Sequence, residues 1–309
     1  MLRPRAVALV CCGVAPCAWA DRGSIPFKPN VKIFEPNQRA MIAWNGTEEI
    51  LLLSTDLRAS EPTQVLEVLP LPSEPVVTKG DVEVFKKATA LINSKLAQMA
   101  ATAKGTERAL GSPAAAKPAG EVTFHEKIGA HDISVTKVLD AKGFIAWVEA
   151  YLKKQGVQSP LISDTMQGLV GEYLKEGFAW FVFDVVALDT TPKTNDAIQY
   201  RFKSNCLFYP LKISRTDTGP TAIDLLVLSP RLLSHFFGLP ADRVRLQHPP
   251  IPITSDELRG LSPDMHKLLG AEAVLQLRIW RIEGDLASFT KDVVASDKAV
   301  RPVFGDNAP

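Results

Sequence analysis

Residues 178–188 read FAWFVFDVVAL, an apolar run interrupted only by Asp184. A strand-type run without alternation is buried on both faces, so it predicts a central strand with cover on either side. The other strand signals surround it. Residues 39–44 and 48–54 flank Asn45-Gly46, a pair that tolerates the positive φ of a tight hairpin. Residues 65–69 form a short strand stopped by Pro70 and Pro72. Residues 121–128 and 131–138 make a second hairpin around Gly129-Ala130, and 207–214, 222–229 and 273–283 give later strands. Three helices interrupt this pattern. One opens at an Asp81 cap and carries Val82, Phe85, Thr89, Ile92, Leu96 and Met99 on one stripe. Another runs from an Asp140 cap to Gly156, and a third starts near Asp164 with Gln167 completing a capping box and stops at Gly177. Strands and helices are segregated rather than alternating, which predicts an α+β fold of mixed or antiparallel sheets.

The N-terminus has the three parts of a secretory signal: Arg3 and Arg5, an apolar stretch from Ala6, and Ala18-Trp19-Ala20 ahead of polar Asp21. We expect a signal peptide over 1–20 and a mature protein that is periplasmic or secreted. Loss of Arg3 and Arg5 with it turns the formal charge of +1 slightly negative. Such a balance gives no reason to expect nucleic acid or an anionic membrane as the main partner, and export implies an envelope or extracellular one. No apolar run in the mature chain is long enough to span a membrane. Cys11, Cys12 and Cys17 leave with the signal, so Cys206 is the one cysteine of the mature chain and no internal disulfide can form. A chain of this size buries roughly 75% of its unfolded surface, so a core alone can hold it. Residues 105–120 (GTERALGSPAAAKPAG) lack large apolar side chains and read as a flexible linker between an N-terminal lobe, 21–104, and a C-terminal lobe, 121–309. The segment 239–263 is proline-rich and extended.

The order of these segments resembles a known family. KIFEPNQRAMIAWNGTEEILLLSTDL (32–57) and VLEVLPLPSEPVV (65–77) are similar to the start of the bacterial domain-of-unknown-function family 2330. So are GFIAWVEAYLKKQG (143–156), YLKEGFAWFVFDV (173–185) and YPLKISRTDTGPTAIDLLVLSP (209–230). The cysteines common after the signal in such proteins are absent here, and the Ala/Pro-rich linker reads as an insertion. The resemblance implies an exported bacterial protein. It implies no activity, so it transfers no catalytic residues.

Most chemistries lack the residues to run. His125-Glu126 begins a zinc-protease motif, but Gly129 stands where its second histidine would be. In the hairpin around 129–130, His125 and His131 point to opposite faces, which also argues against a looser metal site with Glu126 and Asp132. No Gly-x-Ser-x-Gly elbow or phosphate-binding glycine loop occurs, and Cys206 sits at an apolar strand without a histidine placed beside it. No cofactor or metal is expected. Asp184 and Asp224 each interrupt an apolar strand. A shared cleft would suit a carboxylate-dependent hydrolase acting on an envelope polymer, whereas separate partners such as Lys212, Arg215 or Arg201 would make them structural. The best binding candidates lie in AVLQLRIWRIE (273–283), where Leu275, Leu277 and Ile279 take one face and Gln276, Arg278, Trp280 and Ile282 the other. Arg278 beside Trp280 on the wetter face suits ligand recognition. The favoured expectation is a non-enzymatic envelope module, binding or structural, with the hydrolase as its alternative.

Overall fold

The structure is a computed structural model in which residues 22–28, 31–106, 131–154, 156–157, 160, 162–191, 193–194, 197–217, 219–270 and 274–305 are described. The chain begins with β1 (Gly23–Pro26), β2 (Ile33–Trp44), β3 (Glu48–Ala59), β4 (Thr63–Leu71), β5 (Val76–Lys79) and helix α1 (Glu83–Thr106). It continues with β6 (His131–Lys137), α2 (Ala141–Lys154), α3 (Asp164–Lys175), β7 (Trp180–Leu188), β8 (Lys193–Thr194), β9 (Ile198–Lys203) and β10 (Leu207–Tyr209). The last part holds β11 (Pro220–Ser229), β12 (His235–Phe236), β13 (Val244–Leu246), β14 (Ile251–Thr254), α4 (Ser255–Leu261), α5 (Pro263–Leu269), β15 (Val274–Asp285) and β16 (Val293–Ser296).

These form the expected α+β arrangement. The apolar run 178–188 contributes β7, which lies between β4 and β6 in a four-stranded antiparallel sheet of order β1-β4-β7-β6. Helices α2 and α3 cover one side of it: Phe144 packs 5.8 Å from Phe181 and 5.6 Å from Phe183, and Trp147 lies 4.6 Å from Phe183. The opposite side meets a large sheet of order β13-β15-β11-β2-β3-β9-β5, in which β2 and β11 run parallel and the other pairs are antiparallel. The far face of that sheet, with Met41, Leu52, Leu228 and Leu277, is closed by Phe85 and Ile92 of α1 together with α4 and α5. Each such buried side chain contributes about 1.5–3 kcal/mol. A small sheet of order β10-β16-β12 completes the fold.

Local signals explain several connections. Gly46 has φ +104°, and Asn45 Oδ1 accepts from the backbone N–H of Thr47 and Glu48, so Asn45-Gly46 turns β2 into β3 as its sequence requires. Gly177, at φ +98°, ends α3. The cap of α3 is one residue earlier than expected. Ser163 accepts from the Met166 N–H, while Gln167 turns to the Ile162 carbonyl instead of closing a box on Asp164. The serine hydroxyl is close enough to its own helix to displace the aspartate from that role.

Pairs β2–β11, β3–β9 and β4–β7 join residues on either side of 105–120 within both large sheets. Helix α1 runs on to Thr106, past the boundary expected at 104. The rest of the expected linker, the expected signal segment 1–20, and the expected hairpin strand 121–128 with His125 and Glu126 lie outside the described residues. No helix among the described residues is long and apolar enough to cross a membrane.

Candidate functional site: a cleft on strand β15

Strand alternation on β15 divides its side chains as the sequence predicts, but neither face is open water. Leu275 and Leu277 are buried against the helices. The other face carries Gln276, Arg278 and Trp280, aligned with Ser229, Val227 and Leu225 of β11. Trp280, expected on the wetter side, is 3% exposed. The reason is the cover laid over this face by residues 232–236, with β13 extending the sheet at the edge of β15. Phe236 packs 5.4 Å from the Trp280 ring. Its strand β12 is held to β16, and the next turn is tight enough that a Cβ on Gly238 would come within 2.1 Å of the Asp292 carbonyl.

The cover is incomplete, and a cleft of about 110 Å³ remains. Its floor is Val227, Ser229, Gln276, Arg278 and Trp280. Leu232, Leu233 and Phe236 form one wall, and Ala241, Val244 and Leu246 the other. Leu232 and Leu246 stand at its lining with 46% of their surface exposed. Within this apolar frame Ser229 Oγ donates to the Arg231 carbonyl at 2.6 Å, but two other polar side chains have no partner among the described residues. Among the described residues Arg278 makes no hydrogen bond or ion pair, its Nε is buried, and burial lowers its pKa. The indole Nε1 of Trp280 is buried without an acceptor. An unmatched buried donor costs about 1–3 kcal/mol, more when charged. The cleft therefore keeps two donors unsatisfied in an apolar setting.

The carboxylates expected as a hydrolase pair do not share a site. Asp184 lies in the four-stranded sheet, where its Oδ2 is 2.6 Å from His131 Nδ1 and 3.6 Å from Arg22. Asp224, on β11 of the large sheet, is 2.8 Å from Arg281. Asp184 is only 2% exposed. The cations the sequence offered to it are engaged elsewhere: Arg201 with Glu48, Lys212 with Glu176 and Arg215 with Glu172. Sequence reasoning missed Arg22 and His131 as its partners. Arg22 gives no periodic signal, and a histidine on a strand does not reveal what it faces across the sheet.

The remaining nucleophiles are poorly placed for chemistry. Ser255 Oγ is 2.9 Å from His266 Nε2, but Arg259 also approaches that nitrogen at 3.4 Å, an unfavourable neighbour for a general base. Cys206 is fully buried, and burial followed by the nearby Glu49 carboxyl pushes its thiol up to about 12. A thiol reagent at pH 8 should leave Cys206 unmodified in native protein and label it completely in guanidinium chloride; rapid labelling without denaturant would contradict the burial. Among the described residues, no group of three or more His, Cys, Asp or Glu side chains could hold a metal ion.

Comparison with known proteins gives structural and family relations. The fold is similar to the crystal structure of baculovirus P35, at 8% identity over 91% of this chain and 100% of that one, with a TM-score of 0.40. That likeness is too slight to carry an argument. No curated protein sequence matches the chain. The family model described as an uncharacterized protein conserved in bacteria, DUF2330, matches residues 16–234, a span that includes the parallel β2–β11 pair and reaches the first wall of the cleft. A match over most of the chain settles membership: the chain belongs to the bacterial DUF2330 family.

Proposed function

We propose that the protein is exported to the periplasm or beyond, where it acts as a non-enzymatic binding module with the β15 cleft as its ligand site. One observation carries this reading: Arg278 and the indole N–H of Trp280 are unpartnered among the described residues, in a cleft lined mostly by apolar side chains. Binding sites combine apolar walls with a few polar groups that fix orientation, and an aromatic–arginine pair is favoured at such positions. The near-neutral charge suits an envelope or extracellular partner better than nucleic acid. A hydrolase is the weaker reading, because Asp184 and Asp224 each have their own cation in different sheets.

Export and binding are tested separately. N-terminal sequencing of protein from the periplasmic fraction should begin at Asp21, and an uncut chain retained in the cytoplasm would overturn export. For binding, a fragment library can be followed by NMR at the Trp280 indole N–H. Hits should move that signal in the wild type but not in Arg278→Gln. Hits that cluster elsewhere and leave it still would reject the cleft as the ligand site.

A further inference from the structure

Resting on the reading of the cleft as a ligand site, we infer that its ligand is the free carboxyl end of a peptide whose last side chain is apolar. Two side chains on one strand face and the size of the cleft point to this chemistry. Arg278 is an unpaired guanidinium, whose planar fork matches a carboxylate through two parallel N–H···O bonds. Burial lowers its pKa, and a bound carboxylate would relieve that cost. A single cation between apolar walls suits one negative charge rather than a dianionic phosphate. Beside it, the side chain of Gln276 has no partner among the described residues and offers both a donor and an acceptor. At one residue's spacing from a terminal carboxylate, a peptide presents an amide that can use both.

The size of the cleft sets the third feature. Its volume of about 110 Å³ compares with the roughly 150 Å³ of an apolar cavity that accepts benzene. Being smaller, it suits one branched aliphatic side chain, set against Val227, Phe236 and the Trp280 ring. A long acyl chain would overrun it. Leu232 and Leu246 extend the apolar surface at the cleft and can cover the preceding residue of a peptide. The carboxylate then provides orientation and the side chain provides burial.

The test uses the mature protein with four probes: a blocked tripeptide ending in leucine as the free acid, the same peptide as its C-terminal amide, its glycine-ended counterpart, and octanoate. Affinity is measured by isothermal titration calorimetry, and the Trp280 indole N–H resonance locates binding. The leucine acid should bind at least tenfold more tightly than the amide or the glycine peptide. Arg278→Gln should remove the difference between acid and amide without lowering the thermal midpoint, since Arg278 makes no hydrogen bond or ion pair among the described residues. Leu232→Ser should weaken acid and amide alike. Equal binding of acid and amide, or R278Q-sensitive binding of octanoate without the peptide, would overturn the peptide proposal and leave the cleft as a ligand site. Silence of the Trp280 resonance with every probe, and with the fragment library, would overturn both.

Discussion

Replacing Arg22 by methionine should destabilise the protein by about 3–5 kcal/mol, the usual cost of leaving a buried charge without its partner. Arg22 is 4% exposed. Its guanidinium meets Glu67 and Asp184, which face each other across the β4–β7 pair, and also donates to the Tyr200 hydroxyl at 3.1 Å. One side chain near the start of β1 thus ties the four-stranded sheet to β9 of the large sheet. Burial raises the pKa of Glu67, opposed first by the charge of Arg22. Without Arg22 the Glu67 carboxyl holds its proton to higher pH, so the deficit of R22M should grow as pH rises. Removing Glu67 as well, in R22M/E67M, takes out one charge of each sign. Asp184 keeps His131 at 2.6 Å. Most of the lost stability should return in the double variant, and urea unfolding of the two single variants and the double gives the coupling directly. An R22M protein within about 1 kcal/mol of wild type would show that the cluster does not depend on this cation.

That cluster marks where local sequence signals stop being informative. Periodicity and punctuation are properties of neighbouring residues, so they located β7, the Asn45-Gly46 turn, the end of α3 at Gly177 and the stripe of α1. Pairing across sheets is a property of the whole topology. Asp184 could be seen as needing a cation, yet Arg22 and His131 reach it only because β1 and β6 flank β4 and β7. The candidate site was half legible for the same reason. Alternation placed Arg278 and Trp280 on one face of β15 and separated them from Leu275 and Leu277. It could not show that residues 232–236 fold back over that face, because their anchor lies on β16 and the segment after them returns to the sheet edge at β15. A polar face was therefore expected to be wet when it is roofed. The roof is what turns an exposed Arg–Trp pair into a cleft with unsatisfied donors.

Asp292 provides the second large effect, with opposite consequences for two substitutions at one position. Its Oδ1 accepts from the backbone N–H of Leu211 at 2.9 Å, from that of Lys212 at 2.7 Å, and from the Tyr173 hydroxyl at 2.8 Å. One oxygen so joins α3, the turn Lys212–Thr216 and the approach to β16. Asp292→Ala leaves three buried donors without an acceptor, at about 1–3 kcal/mol each, and should cost about 4 kcal/mol or more. Asp292→Asn keeps that oxygen and removes only the charge. Burial, partly offset by the Lys212 charge, raises the Asp292 carboxyl from 3.8 to about 6. The folded state then holds a proton that the unfolded chain releases, so this stabilisation is complete below about pH 4 and is lost as pH rises through 6. A shift of about two units corresponds to roughly 3 kcal/mol. Asparagine does not titrate. The stability of D292N relative to wild type should therefore improve by up to that amount between pH 4 and 7, while D292A stays well below both. Other carboxyls, including Asp217, which burial also raises to about 6, titrate in both backgrounds and cancel in the difference. Urea unfolding of the three proteins at pH 4, 5, 6 and 7 measures this, and a wild-type-to-D292N gap that stays constant over that range would falsify the assignment of the proton to Asp292.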